Sequence, residues 1–230
     1  MDKVTYACSG TLGDAYINVL KLLTDSLQGK DITVNHFTVH EAWRGKIREI
    51  YDLIPSLTLS FPESRDTKSK KIASHFAEDD GMPVIAFPSF GLPAFPMPAE
   101  YIVISPRAGK DGQLHRSISS SHMKGIIGDA DVPVYILGSY GSSGYAPRHV
   151  IDLMGRTKLW QAFKIIAGAK LFFAPQGLLT FFALSQKVRT VVYCSTDQDL
   201  SGFYNRLLPE WKEYLIGIRT GYEHVEKIDG

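Results

Sequence analysis

Residues 101–194 carry YIVISPRAGK (101–110), VYILGS (134–139), LWQAFKIIAGAK (159–170), LFFAPQG (171–177), LLTFFALSQK (178–187) and RTVVYC (189–194). The apolar, β-branched and aromatic runs read as strands. The stretches with apolar residues at three- and four-residue spacing read as helices. Strands that alternate with helices predict a parallel α/β sheet, in which ligands sit beyond the carboxyl ends of the strands. Those ends carry Arg107 and Lys110 after the first strand, Gly138 and Ser139 after the second, and Gln176 and Gly177 after the third. A nucleotide-type ligand is the first expectation from this half.

The other half repeats the alternation in shorter form. KVTYACSG is a strand that ends in SGTLGD, and AYINVLKLLTDSLQ is a helix with Ile17, Leu20, Leu23 and Leu27 on one stripe, stopped by Gly29. DITVNHFTV, SLTLSF and MPVIAFPSF are expected as further strands, and EAWRGKIREIYDLI and SKKIASHFAEDDG as further helices. Pro88, Pro93, Pro96 and Pro98 then form a stiff linker, since proline at this density continues neither a helix nor a central strand. This predicts two domains, 1–92 and 93–230, the second closing with helices read from FYNRLL and EWKEYLIGI. Two such domains on a short linker imply a cleft, a favoured place for ligands.

The chain has 230 residues, 44% of them hydrophobic, and a net charge of +1, so it can bury a real core but has no global field to hold a polyanion. No apolar run is long enough for a transmembrane segment, and MDKVTYACSG is too short and polar for a signal peptide. Cys8 and Cys194 lie in strand-like runs and read as buried thiols of a cytoplasmic, reducing setting. His115 and His122 have no metal-ligand partner at a familiar spacing.

Three motifs carry candidate chemistry. In Gly10-Thr11-Leu12-Gly13-Asp14 the glycines permit a tight strand-to-helix turn, and Asp14 suits either a helix cap or a general base. Arg107, Lys110 and Arg116 lie within ten residues and suit a diphosphate, or a solvated surface loop. Pro175-Gln176-Gly177-Leu178-Leu179-Thr180 places Gln176, Gly177 and Leu178 where backbone N–H groups meet an anion at a helix start. The Gly10–Asp14 turn is not a P-loop, and no dinucleotide fingerprint is present, which disfavours a flavodoxin- or Rossmann-type redox protein.

SGTLGDAYINVLKLL, LWQAFKIIAGAKLFFAPQGLLTFFAL and VVYCSTDQDLSGFYN occur in the order and spacing of three family motifs. On them the chain resembles the lipopolysaccharide heptosyltransferases. The resemblance implies a GT-B-like α/β fold: two Rossmann-like domains with parallel sheets facing a cleft, acceptor side first, nucleotide-sugar donor side second. It also implies an inverting, metal-independent glycosyltransferase that needs no cofactor beyond its nucleotide-diphosphate sugar. Asp14 falls on the family's base, Arg116 near its basic residue, and Gly177 on its phosphate turn. Pro175, Gln176 and Thr180 stand where the family has Asp, Ser or Thr, and His.

Arg44, Lys46, Arg48, Arg65, Lys68, Lys70 and Lys71 give the first domain a local basic excess. With Gly13 beside the base, Arg44, Lys68, Lys70 and Lys71 are the candidates for an anionic acceptor, either a saccharide of lipopolysaccharide type or DNA bearing a hydroxylated base. They equally suit an ordinary solvated face. From another class, the departures at Pro175 and Thr180 suit a non-catalytic nucleotide-sugar binding module.

Overall fold

The computed structural model describes residues 2–72, 82–107, 117–139, 143–144, 147–194, 196–220 and 224–226. They divide into two compact units, Met1–Gly91 and Leu92–Gly230.

The first unit is a four-stranded parallel sheet in the order β3-β2-β1-β4. Its elements in sequence are β1 (Lys3–Ser9), α1 (Leu12–Leu27), β2 (Asp31–Phe37), a 3-10 turn at Glu41–Trp43, α2 (Arg44–Tyr51), β3 (Thr58–Ser60) and β4 (Lys70–Lys71). Gly29 stops α1 from the left-handed region, at φ 74°. Of the helical stripe, Ile17 and Leu20 are buried, whereas Leu27 is 78% exposed at the helix end. The chain moves from β1 outward to β3 and returns to the other side of β1, so its strand order reverses beside β1. In an open α/β sheet that reversal is where ligands are received.

Two expected elements of this unit differ. Lys70–Lys71, read as the start of a helix, is a strand on the free edge of β1, held there because Ile72 is 3% exposed and its N–H donates to Ala7 O at 3.0 Å. Residues 73–81 of that expected helix lie outside the described residues. The MPVIAFPSF segment is not a strand over residues 82–90. Pro83 and Pro88 lack ladder donors, and the Ile85 N–H bonds Leu20 O of α1 at 3.2 Å, so the segment lies on the helix instead.

The second unit is a seven-stranded sheet in the order β11-β10-β9-β8-β5-β6-β7, parallel except for the terminal β10–β11 pair. It comprises β5 (Ile102–Ile104), α3 (Ser120–Gly128), β6 (Val134–Ile136), β7 (Val150–Asp152), α4 (Leu159–Ala167), β8 (Leu171–Pro175), α5 (Leu178–Ser185), β9 (Thr190–Cys194), α6 (Asp197–Arg206), α7 (Pro209–Lys212), β10 (Leu215–Thr220) and β11 (His224–Glu226). Alternation along the strands separates two faces. Ile102, Ile104, Phe173, Val191 and Tyr193 join Met123 and Ile127 of α3 in one core cluster. Between α4 and α5, Phe163 stacks on Phe182 with ring centroids 4.0 Å apart.

Here too the structure corrects the reading. Helix α3 occupies part of what reads as a basic loop, its serines and glycines weakening the pattern; Ser119 caps it by accepting from His122 N at 3.2 Å. Strand β7 lies in the Gly-rich stretch before α4. YLIGI is not helical but enters β10 beside β9, where Leu215 is buried. Both cysteines are buried and neither is in a disulfide, and among the described residues no helix is long and apolar enough to cross a membrane.

Candidate functional site

Asp14 lies in the first turn of α1, beyond the carboxyl end of β1. Its Oδ2 accepts from Thr11 N at 2.6 Å and Thr11 Oγ1 at 2.8 Å, the geometry of a capping box. Among the described residues Oδ1 has no hydrogen-bond partner. One oxygen is therefore fixed by two donors while the other is left to accept, and the cap and base readings of Asp14 coexist. Gly13 is the neighbouring first-turn residue and is half-buried.

The turn beneath Asp14 is anchored from below. Gly10 N donates to Phe37 O at 3.2 Å, and His36 Nε2 lies 3.4 Å from Gly10 O. His36 Nδ1 is 3.0 Å from the Tyr51 hydroxyl, which accepts from Asn18 Nδ2 at 3.2 Å. Burial pushes the His36 imidazole below its usual value and the Cys8 thiol beside it up to about 12. The sequence reading passed over His36, Tyr51 and Asn18. The available signal was position: in DITVNHF, His36 follows Ile32 and Val34 on the inward face of β2.

The basic candidates separate into two groups. Arg44 and Arg48, one turn apart on α2, each place a guanidinium 5.7 Å from the Phe61 ring centre, and Arg65 lies 5.8 Å from that of Phe37. The Phe61 ring meets His36 edge-on at 6.4 Å, which puts this arginine–aromatic surface around the carboxyl ends of β2 and β3. Arg44 also pairs with Glu41 at 3.4 Å. Lys68 lies in the loop before β4, tied by its N–H to Asp66 Oδ1 at 2.8 Å. Asp66 further accepts from Asn35 Nδ2 at 2.7 Å and Ser69 Oγ at 2.5 Å, and these bonds hold its carboxyl well below the usual range. Lys70 and Lys71 are consecutive in a strand and so point to opposite faces; the Lys70 ammonium sits 5.7 Å from the Tyr6 ring. Lys70 and Lys71 thus cannot both face one bound acceptor, and Arg48, which shares the Phe61 ring with Arg44, joins the candidates.

In the second unit the strand order reverses between β5 and β8. Arg107 follows β5 and is exposed, Gly138 and Ser139 follow β6, and Gln176 and Gly177 follow β8, so these candidates share one edge on three adjacent strands. Lys110 and Arg116 lie outside the described residues. A Cβ on Gly177 would meet nothing within 4 Å. The first N–H groups of α5, from Leu178, Leu179 and Thr180, have no carbonyl to bond within the helix. The Gln176 N–H is not among these donors, since it bonds Tyr193 O at 3.1 Å in the sheet. Nor is the Thr180 side chain available: it is 1% exposed and donates to Pro175 O at 2.7 Å. Gly138 packs under Met154, whose Cε would lie 2.8 Å from a Cβ there. Asp152, missed in the sequence, accepts from Ser143 N at 2.7 Å, Ser143 Oγ at 2.8 Å and Met154 N at 2.9 Å, tying the Gly-rich loop to β7. Among the described residues no three His, Cys, Asp or Glu side chains are placed to hold a metal ion.

No family model and no curated protein matches the chain. Solved structures do. ADP-heptose lipopolysaccharide heptosyltransferase II of E. coli matches with a TM-score of 0.52 and 13% identity, over 96% of this chain and 90% of that one. E. coli heptosyltransferase WaaC with ADP matches with a TM-score of 0.52 and 11% identity, over 83% and 86%. The iron-containing dodecameric glycosyltransferase TibC from enterotoxigenic E. coli matches with a TM-score of 0.49 and 15% identity over 83% of this chain, which spans 58% of TibC. On the two matches at a TM-score of 0.52, the chain has a GT-B-like α/β fold similar to that of heptosyltransferases, in agreement with the resemblance its motifs carry.

Proposed function

We propose that the chain is a glycosyltransferase that moves a sugar, with inversion and without a metal ion, from a nucleotide-diphosphate sugar to a hydroxyl of an anionic acceptor. The observation that carries this reading is the Asp14 carboxylate, with Oδ2 held by two donors and Oδ1 open at the carboxyl end of β1. Oδ1 takes the acceptor proton as the hydroxyl oxygen attacks the anomeric carbon. The bond from that carbon to the diphosphate oxygen breaks on the opposite side, and its electron pair leaves with the diphosphate. Arg107, Lys110, Arg116 and the amides that open α5 meet the charge that grows there.

The fold supports a nucleotide-sugar donor. WaaC has been solved with ADP, and heptosyltransferase II is an ADP-heptose enzyme, so ADP-heptose heads the donors to test. The arginines stacked on Phe61 and Phe37 support an anionic acceptor, either a phosphorylated saccharide or DNA with a hydroxylated base. Two buried cysteines outside any disulfide suit a cytoplasmic setting.

A mass-spectrometric screen of nucleotide sugars for release of free nucleotide, with and without acceptors, tests the reading. The Asp14→Asn variant should bind the donor normally and turn over on the order of 10² to 10⁴ times more slowly. Unchanged turnover would leave Asp14 as a helix cap alone. A non-catalytic binding module is favoured by one observation, the Thr180 side chain turned inward onto Pro175 O. That second reading expects donor binding with no turnover for any acceptor.

A further inference from the structure

One peptide group joins His36 to Asp14. The Gly10–Thr11 amide presents its carbonyl oxygen to His36 Nε2 at 3.4 Å and its N–H to Asp14 Oδ2 at 2.6 Å. The bond is trans, so the two groups point in opposite directions from one rigid plane. A carbonyl only accepts, which assigns the imidazole proton to Nε2. With that proton on Nε2, Nδ1 accepts from the Tyr51 hydroxyl, whose oxygen accepts from Asn18 Nδ2 and also meets the Cys8 thiol.

These side chains come from β2, α2 and α1 and are sealed from water, His36 and Asn18 at 0% exposure and Tyr51 at 1%. Asn18 Oδ1 is buried without a hydrogen-bond partner among the described residues. Apolar residues of similar volume would fill this space with no such requirement, so stability alone does not account for the cluster.

We propose that His36 is a positioning residue for Asp14, acting through the Gly10–Thr11 peptide, with Tyr51 holding its tautomer. A hydrogen bond accepted at a peptide oxygen polarises the amide and strengthens the N–H at its other end. The Thr11 N–H is the donor that orients the Asp14 carboxylate, so His36 sets how firmly that carboxylate is aimed. The catalytic consequence rests on the reading of Asp14 as the base; the hydrogen-bond relay does not.

The test compares His36→Phe, His36→Gln and Tyr51→Phe in the full chain by ¹⁵N–¹H spectroscopy, with melting curves alongside. Glutamine reaches Gly10 O with an N–H much as Nε2 does, whereas phenylalanine cannot. The Thr11 amide proton should move upfield in His36→Phe, return in His36→Gln, and move by less in Tyr51→Phe, which frees the imidazole to change tautomer. Turnover of the nucleotide sugar chosen by the screen should fall about tenfold in kcat at unchanged donor KM in His36→Phe, and recover in His36→Gln. An unmoved Thr11 amide in the folded variants overturns the proposal. If His36→Phe does not fold, Tyr51→Phe and His36→Gln decide it by the same resonance. A Thr11 amide that responds as expected while Asp14→Asn turns over normally would remove the base reading and leave the relay standing.

Discussion

The Asp14 carboxylate fills the space a side chain on Gly10 would need: a Cβ there would lie 2.4 Å from Asp14 Oδ2 and 2.6 Å from Cγ. Gly10 also holds φ at 124°, a conformation that suits glycine. The turn and the carboxylate therefore depend on each other, and the glycine is required by the acid above it as much as by the chain direction.

Gly10→Ala should destabilise the first unit by about 1–3 kcal/mol, from backbone strain and from displacing Asp14. Transfer should be lost along with the displaced carboxylate. Urea denaturation beside the nucleotide-release assay checks both, and a variant as stable as the parent would show that the turn accommodates a side chain.

Arg107→Ala and Arg116→Ala should each weaken nucleoside diphosphate binding by roughly 1.5–3 kcal/mol, the range for hydrogen bonds to charged groups. Calorimetric titration with ADP reads this directly. If neither variant changes affinity, the diphosphate does not bind at the carboxyl end of β5.

The arginine–aromatic surface separates the two acceptors. For duplex DNA, affinity should fall steeply with salt, and Arg44→Ala with Arg48→Ala should flatten the log–log slope by about 0.9 for each phosphate that is no longer neutralised. A saccharide bearing one or two phosphates should show a shallow dependence instead. Anisotropy titrations on hydroxymethylated and plain duplexes at several salt concentrations measure the slope, and absence of DNA binding at low salt removes the nucleic-acid acceptor.

Stability should fall as the solution is acidified below pH 6.5, the ordinary histidine value, because burial holds His36 below it in the folded chain. The unfolded chain then takes up a proton that the folded chain refuses, at a slope of up to about 1.36 kcal/mol per pH unit. The loss ends once the pH passes below the lowered folded value. Denaturation midpoints at several pH values should show this component in the parent and not in His36→Gln. An equal dependence in both would assign it to other groups.

Local pattern was enough for much of this protein. The alternation of apolar runs and helical stripes from Tyr101 to Cys194 specifies a parallel sheet, because each strand must bury both faces and each crossover must be a helix. Gly10, Asp14 and Gly177 are legible for a related reason, since turns and helix starts depend on residues adjacent in the chain. Structure departs from local pattern where the signal is diluted: at the serines and glycines of α3, at the prolines of residues 82–90, and at the two lysines of β4, which have no pattern of their own and are strand only because β1 offers an edge.

Pairings between distant residues were decided by tertiary structure alone. Nothing near His36 in the chain announces that it will meet Tyr51 on one side and Gly10 on the other, or that Arg44 and Arg48 will share Phe61. Nor does spacing reveal that Thr180 turns inward or that Asp152 ties down the Gly-rich loop. Such pairings depend on how strands and helices pack, and packing is a property of the whole unit. The sequence determined the kind of fold and the acid at its switch point, and the packed units determined which buried groups hold that acid in place.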